Sequence, residues 1–427
     1  MNRRLSGPAR TAAAAALALA AAACGVDGLL DVDAPSQIPV GVLDDPVKAP
    51  LLVNGVVGDF ECSFGAYTVL SGILGEELIE TTQTANRWPY DRREVQPSDA
   101  LYSTFPCETL GVYTPFSTTR WTADVVLEQL EGWTDAQMPA GANRSQLVAT
   151  VAAYGGYTYL MMGEAFCSAA FDGGPEVASA QMFALAEERF TRALAAAAQV
   201  GGAAGADLRN LALVGRARSR IDRGQYAAAA ADAALVTEGY VRNATASASA
   251  ARRNNRVFAQ NGPNSNGTSV GPRYRAMTVD GVPDPRVPVV DGKRTVADGN
   301  AIWEQRKYTS AAAPIPLATW EEAQLIQAEA AARAGDADAA AGFINALRTR
   351  AELPLYEATT AEAALAQVIE ERRRELFLES HHFFDIRRFD LALDPAAGTA
   401  YNKGGTYGST RCLPLPDVER LNNPNIP

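Results

Sequence analysis

Along the 427-residue chain, apolar and polar positions recur with helical spacing in two blocks, residues 120–240 and 319–390. Phe183, Ala186, Phe190, Ala193 and Leu194 share one helix face; Ala364, Leu365, Val368, Ile369 and Leu376 share another. Thr319-Trp320-Glu321-Glu322 and Thr359-Thr360-Ala361-Glu362 fit the Ser/Thr-x-x-Glu capping box, which satisfies amides at a helix start. Gly224-Gln225-Tyr226-Ala227-Ala228-Ala229 and Gly335-Asp336-Ala337-Asp338-Ala339-Ala340 repeat one layout, a glycine closing one helix and a small-residue helix beginning. Alanines let two helices approach while aromatics fill the adjacent groove, so this alternation predicts tetratricopeptide-like hairpins. A generic Ala-rich bundle is the plainer alternative. The copies are unevenly spaced, which speaks against a uniform solenoid.

The remaining stretches differ in texture. Residues 25–120 mix helical fragments with Pro, Gly and Thr; residues 241–318 are irregular; residues 391–427 form a Pro-rich tail. The fold class this predicts is mainly α, with helical hairpins carrying loop-rich insertions. Trp121, Trp133 and Trp320 fall in helical stretches and are expected to pack.

The chain's start reads as an export signal. Arg3, Arg4 and Arg10 precede an apolar run from Thr11 to Ala23, shorter than the roughly 18 residues of a spanning helix. It ends in Ala21-Ala22-Ala23-Cys24, which resembles a bacterial lipobox, so 1–23 is expected to be removed and Cys24 lipidated. Ordinary cleavage after the alanines is the alternative. The other cysteines, Cys62, Cys107, Cys167 and Cys412, allow three pairings in an exported chain. The preferred one joins Cys62 to Cys107 within a single loop-rich stretch, leaving Cys167–Cys412 to tie the tail to the body.

Charge narrows the function. The net charge is −11 and becomes more negative once the leader's arginines are removed, so binding to nucleic acid is not expected. Two histidines leave multi-histidine metal sites and a serine–histidine triad without support. No phosphate loop or cofactor fingerprint is present, and no metal or cofactor is expected.

The most specific segment is Glu370-Glu371-Arg372-Arg373-Arg374-Glu375-Leu376-Phe377-Leu378-Glu379-Ser380-His381-His382-Phe383-Phe384-Asp385-Ile386-Arg387-Arg388-Phe389. It resembles the C-terminal signature of SusD/RagB-type nutrient-uptake lipoproteins, with Ser380 where Gly is usual and His382 where Arg is usual. Thr319 to Gly335 and the tail Leu413-Pro414-Leu415-Pro416 are similar to the same family. The residues themselves read as structure. Glu371, Glu375 and Glu379 share a face beside Arg372, Arg373 and Arg374, an ion-pair network rather than acid/base catalysis; adjacent His381 and His382 diverge and suit no metal.

The resemblance implies one SusD-like domain over 24–427, anchored by lipid at the outer membrane and exposed at the cell surface. It implies a binding protein rather than an enzyme, passing oligosaccharide or peptide nutrients to a TonB-dependent outer-membrane barrel. An envelope-assembly scaffold and an all-helical glycoside hydrolase are the other classes. Sugar binding needs aromatic faces together with planar amide or guanidinium groups. Asn86, Arg87, Trp88 and Tyr90 supply these in one stretch, and Trp303 with Tyr308 forms a second cluster beside Glu304 and Arg306. These six are the expected ligand-binding residues.

Overall fold

A computed structural model describes residues 44–296 and 298–426; the leader and Cys24 lie outside them. The helices are α1 (Ala49–Leu74), α2 (Trp88–Asp91), α3 (Ala100–Ser103), α4 (Tyr113–Gly132), α5 (Arg144–Ala165), α6 (Ser179–Ala197) and α7 (Gly202–Asp222). They continue with α8 (Tyr226–Ala233), α9 (Arg256–Asn261), α10 (Trp320–Arg333), α11 (Ala337–Arg350), α12 (Ala361–Glu375), α13 (His382–Arg388) and α14 (Asp417–Arg420). The strands are β1 (Leu78–Glu80), β2 (Ser168–Ala170), β3 (Glu176–Ala178), β4 (Val241–Ala244) and β5 (Thr268–Val270). β6 (Thr278–Val279), β7 (Val282–Pro283), β8 (Val289–Thr295), β9 (Ala301–Gln305) and β10 (Ile315–Thr319) complete them. All pair antiparallel in twos: β1 with β5, β2 with β3, β4 with β10, β6 with β7 and β8 with β9.

The helical hairpins form where the small-residue pattern places them. α5 packs on α6, α7 on α8 and α10 on α11, with α12 against the last pair. Gly224 and Gly335 sit at the hairpin turns with φ of 73° and 87°, backbone that glycine adopts without penalty. The Phe190 ring shows why the helices carry glycine. A Cβ added to Gly215 of α7 would stand 2.2 Å from the ring, and one on Gly156 of α5 would stand 2.9 Å from it. The ring fills a groove that only hydrogen leaves open.

Both predicted helix starts exist, with one shift. Thr319 Oγ1 accepts from Glu322 N at 3.0 Å, but the Glu322 side chain turns into the core instead of reaching back. At α12 the cap is Thr360, whose Oγ1 accepts from Ala363 N at 3.1 Å, one residue later than the Thr359 box implies.

The longest helix, α1, runs through the stretch that reads as loop-rich. From Phe60 to Leu74 every residue is buried, so no apolar stripe marks it. Gly65 and Gly72 look like breaks in sequence but are close approaches, 3.6 Å from Arg256 Cγ and 3.3 Å from Leu78 Cδ1 for an added Cβ.

The disulfides are Cys62–Cys107, from α1 to the loop after α3, and Cys167–Cys412, from the end of α5 to the tail. Beside the second, Cys167 N donates to Leu413 O and Leu413 N to Ala165 O, at 2.9 and 2.8 Å.

The charged C-terminal segment is a lock. Glu371 is fully buried and accepts from Arg348 at 2.7 Å, Arg286 at 2.6 Å and Gln367 at 2.8 Å. Glu375 lies 3.2 Å from Arg286, and Glu379 lies 2.6 Å from Lys307. Asp385 takes Arg372 at 2.9 Å, and Arg388 grips Glu329 at 2.8 Å. Both histidines are buried; His381 Nε2 lies 3.2 Å from Arg218 Nη1, and burial pushes His382 down to about 4. Among the described residues, no group of three or more His, Cys, Asp or Glu is placed to hold a metal ion.

Candidate ligand-binding face

The loop from β1 into α2 carries the first aromatic cluster. Arg87 Nε donates to the buried Glu80 Oε2 at 2.7 Å and Nη2 to the half-buried Gln260 Oε1 at 3.1 Å, so the guanidinium is aimed from two sides. Trp88 is half-buried, and its Nε1 donates to Thr82 O at 3.1 Å, which satisfies the polar edge. Asn86 is exposed.

The second cluster lies on β9. Trp303 is half-buried, with the Arg275 guanidinium 5.2 Å from its ring centroid. Glu304 next to it is clamped by Arg294 and Arg306.

The end of α9 joins the two clusters. Gln260 takes Arg87, while its neighbour Asn261 donates through Nδ2 to Trp303 O at 3.0 Å and to Thr268 O at 2.7 Å. Ser269 Oγ of β5 accepts from Trp303 N and donates to Ala301 O, both at 2.8 Å, and β5 in turn pairs with β1. Arg87, Trp88 and Trp303 therefore hang on one hydrogen-bonded frame.

Tyr90 and Tyr308 do not join them. Tyr90 is 0% exposed, and its hydroxyl accepts from Tyr102 N at 2.9 Å; Tyr308 is 3% exposed and donates to Leu378 O at 3.0 Å. Each ring fills the core and spends its polar tip on backbone, so neither presents a face to a ligand. Trp121 departs from expectation in the other direction. It stands 50% exposed on α4, because the buried positions Phe116, Ala123, Val126, Leu127 and Leu130 occupy another side of that helix. Trp133 is half-buried and Trp320 is buried beneath Arg350.

Gln260, Asn261 and Arg275 carry no local sequence signal. Each matters through a partner far along the chain, as with Arg87 and Gln260, 173 residues apart.

Residues 301–414 match the model of the SusD family. The fold agrees over nearly the whole chain. A SusD superfamily protein from Bacteroides vulgatus superposes with a TM-score of 0.70 at 15% identity, covering 90% of this chain and 98% of that one. Over residues 301–414 the chain is similar to the SusD family, and its fold is SusD-like. A SusD-like carbohydrate binding protein from Bacteroides vulgatus is similar at TM-score 0.67 and 16% identity, covering 90% of this chain and 97% of its own. A laminarin binding SusD-like protein is similar at TM-score 0.65 and 16% identity, covering 90% and 98%. At such identities these likenesses establish the fold alone. No curated protein matches this chain. Among its described residues, no helix is long and apolar enough to cross a membrane.

Proposed function

We infer that this protein is a member of the SusD family that captures oligosaccharides at the cell surface and hands them, untransformed, to a TonB-dependent outer-membrane barrel. The observation that carries the reading is the shared frame of Arg87, Trp88 and Trp303, tied together through Gln260 and Asn261. Half-buried indoles offer apolar faces to pyranose rings, and an aimed guanidinium with the Asn86 amide offers paired contacts to hydroxyls. The likeness to a carbohydrate binding and a laminarin binding protein supports a glycan over a peptide. The acids that could suggest hydrolysis are engaged by arginines and Lys307, which supports holding over turnover. In this reading Cys24 carries the lipid, and the helix pairs are the surface left for the barrel.

A second reading, a helical-repeat scaffold for envelope proteins, draws on an apolar groove of about 800 Å³ between α8, α10 and α11, lined by Tyr226, Ala230, Ala331 and Phe343. Affinity electrophoresis through polysaccharide gels, followed by chromatography of the incubated polysaccharide, separates the readings. Retardation without released product is the expected result; free migration in every gel favours the scaffold, and released oligosaccharides would make the protein a hydrolase.

A further inference from the structure

A cavity of about 350 Å³, walled in part by Leu78 and Ile79 of β1, is not announced by the sequence. Glu76, Arg93, Arg273 and Asp91 line it, with Ile73 and Tyr407 among its apolar walls. It shares the segment 76–93 with Trp88, and Asn300 at its rim directly precedes the strand that holds Trp303.

Its polar groups are incompletely matched. The Glu76 side chain is 4% exposed; Oε1 accepts from Asp394 N at 2.6 Å, whereas Oε2 accepts no hydrogen bond and has Arg273 Nη1 at 3.5 Å. Arg93 is 2% exposed and lies 5.0 Å over the Tyr407 ring, and its Nε has no hydrogen-bond acceptor. Arg93 Nη1 lies 3.4 Å from Glu76 Oε1 and Nη2 donates to Pro395 O, yet Glu76 Oε2 and Arg93 Nε are left without hydrogen bonds beside one cavity, an arrangement folded proteins avoid unless something completes it.

Charge balance says what kind of group that is. Glu76, Asp91 and Asp394 oppose an anion, and Arg93 and Arg273 oppose a cation. A neutral polyol suits both sets, since one hydroxyl donates to a carboxylate and its neighbour accepts from a guanidinium. Apolar walls and an aromatic ring suit the C–H faces of a sugar. At the small end of the usual 300–1,000 Å³ for ligand cavities, the space holds about one or two sugar rings and not a continuing polymer.

We propose that this cavity seats the terminal sugar ring of a glycan whose following rings lie along Trp88 and Trp303, so that the protein recognises chain ends. The proposal rests on the glycan-binding reading above and adds an end-specific subsite to it.

Titration calorimetry with linear laminari-, malto-, cello- and xylo-oligosaccharides of two to six units tests it on the wild type, Arg273→Ala, Glu76→Gln and the double variant Trp88→Ala/Trp303→Ala. Arg273 is 45% exposed, so its loss leaves the fold intact. The expected result is that at least one disaccharide binds the wild type and is weakened about tenfold or more by Arg273→Ala and by Glu76→Gln. The double tryptophan variant keeps that disaccharide within about twofold but loses the gain from added units. If neither cavity variant weakens any oligosaccharide while the tryptophan variant does, the end subsite is overturned and the glycan reading stands. Equal loss of the disaccharide in tryptophan and cavity variants also overturns a separate end subsite. If no oligosaccharide binds the wild type, both are overturned.

Discussion

Arg218 of α7 holds Glu164 of α5 in a two-pronged ion pair, Nε to Oε1 and Nη2 to Oε2, each 2.7 Å long. Neither side chain is more than 4% exposed, and Glu322 of α10 lies 3.7 Å from the same guanidinium. One arginine therefore pairs with Glu164 of one helix and faces Glu322 of another. Breaking a buried pair by removing one partner costs about 3–5 kcal/mol, because the other charge stays buried. Arg218→Ala is expected to lose stability in that range in denaturant titrations. A loss below about 1 kcal/mol would show that water reaches the acids.

Stability is also expected to fall with rising pH. Burial pushes the Glu77 carboxyl up to about 8, against the opposing pull of the Leu378 N–H and Lys307, and pushes Glu322 and Glu375 up to about 7. These groups hold protons in the folded chain where the unfolded chain has released them, so their contribution is full at acid pH and lost towards pH 8. The buried histidines act in the opposite sense, but only below about 6.5, where the unfolded chain takes up protons that they refuse. Between pH 6.5 and 8.5 the carboxyls outweigh the residual effect of the histidines, and the melting temperature should drop by about 2–5 °C. Glu77→Gln, which keeps an acceptor for Leu378 N, should flatten that slope. A melting temperature that rises over this range contradicts the assignment.

Ser380 has φ of 68° in a fully buried turn, backbone that favours glycine. The SusD/RagB signature that this segment resembles usually has glycine at this point, so Ser380 stands as a strained substitute. A left-handed non-glycine residue costs roughly 1–2 kcal/mol, and glycine returns about 0.4–1 kcal/mol of that through the unfolded chain's entropy. Ser380→Gly should therefore stabilise by about 0.5–1 kcal/mol in thermal melts. Destabilisation would mean that the Ser380 hydroxyl, which donates to Glu379 O at 2.6 Å, outweighs the backbone.

The helical frame was legible because its signals are local. Gly224, Gly335 and Thr319 act within a turn of their own position, and the acids and arginines of 370–388 alternate on one short segment. α1 was not legible, since a helix buried all round has no stripe to read. The candidate face was legible only in part. Trp88 and Trp303 differ from Tyr90 and Tyr308 by their surroundings, and those are set by partners such as Tyr102, Gln260 and Leu378 that spacing does not reveal. Glu76 and Arg93 look like ordinary surface charges in sequence, and only the fold turns them inward.

The most direct test of the account is calorimetry of one glycan longer than a disaccharide that binds the wild type, measured against Trp88→Ala/Trp303→Ala. Both indoles are half-buried, and replacing them should leave the melting transition cooperative. Stacking losses of roughly 1–2 kcal/mol per ring predict affinity weakened about 30-fold or more, with no product released in either protein. Unchanged affinity in the folded double variant would contradict the account.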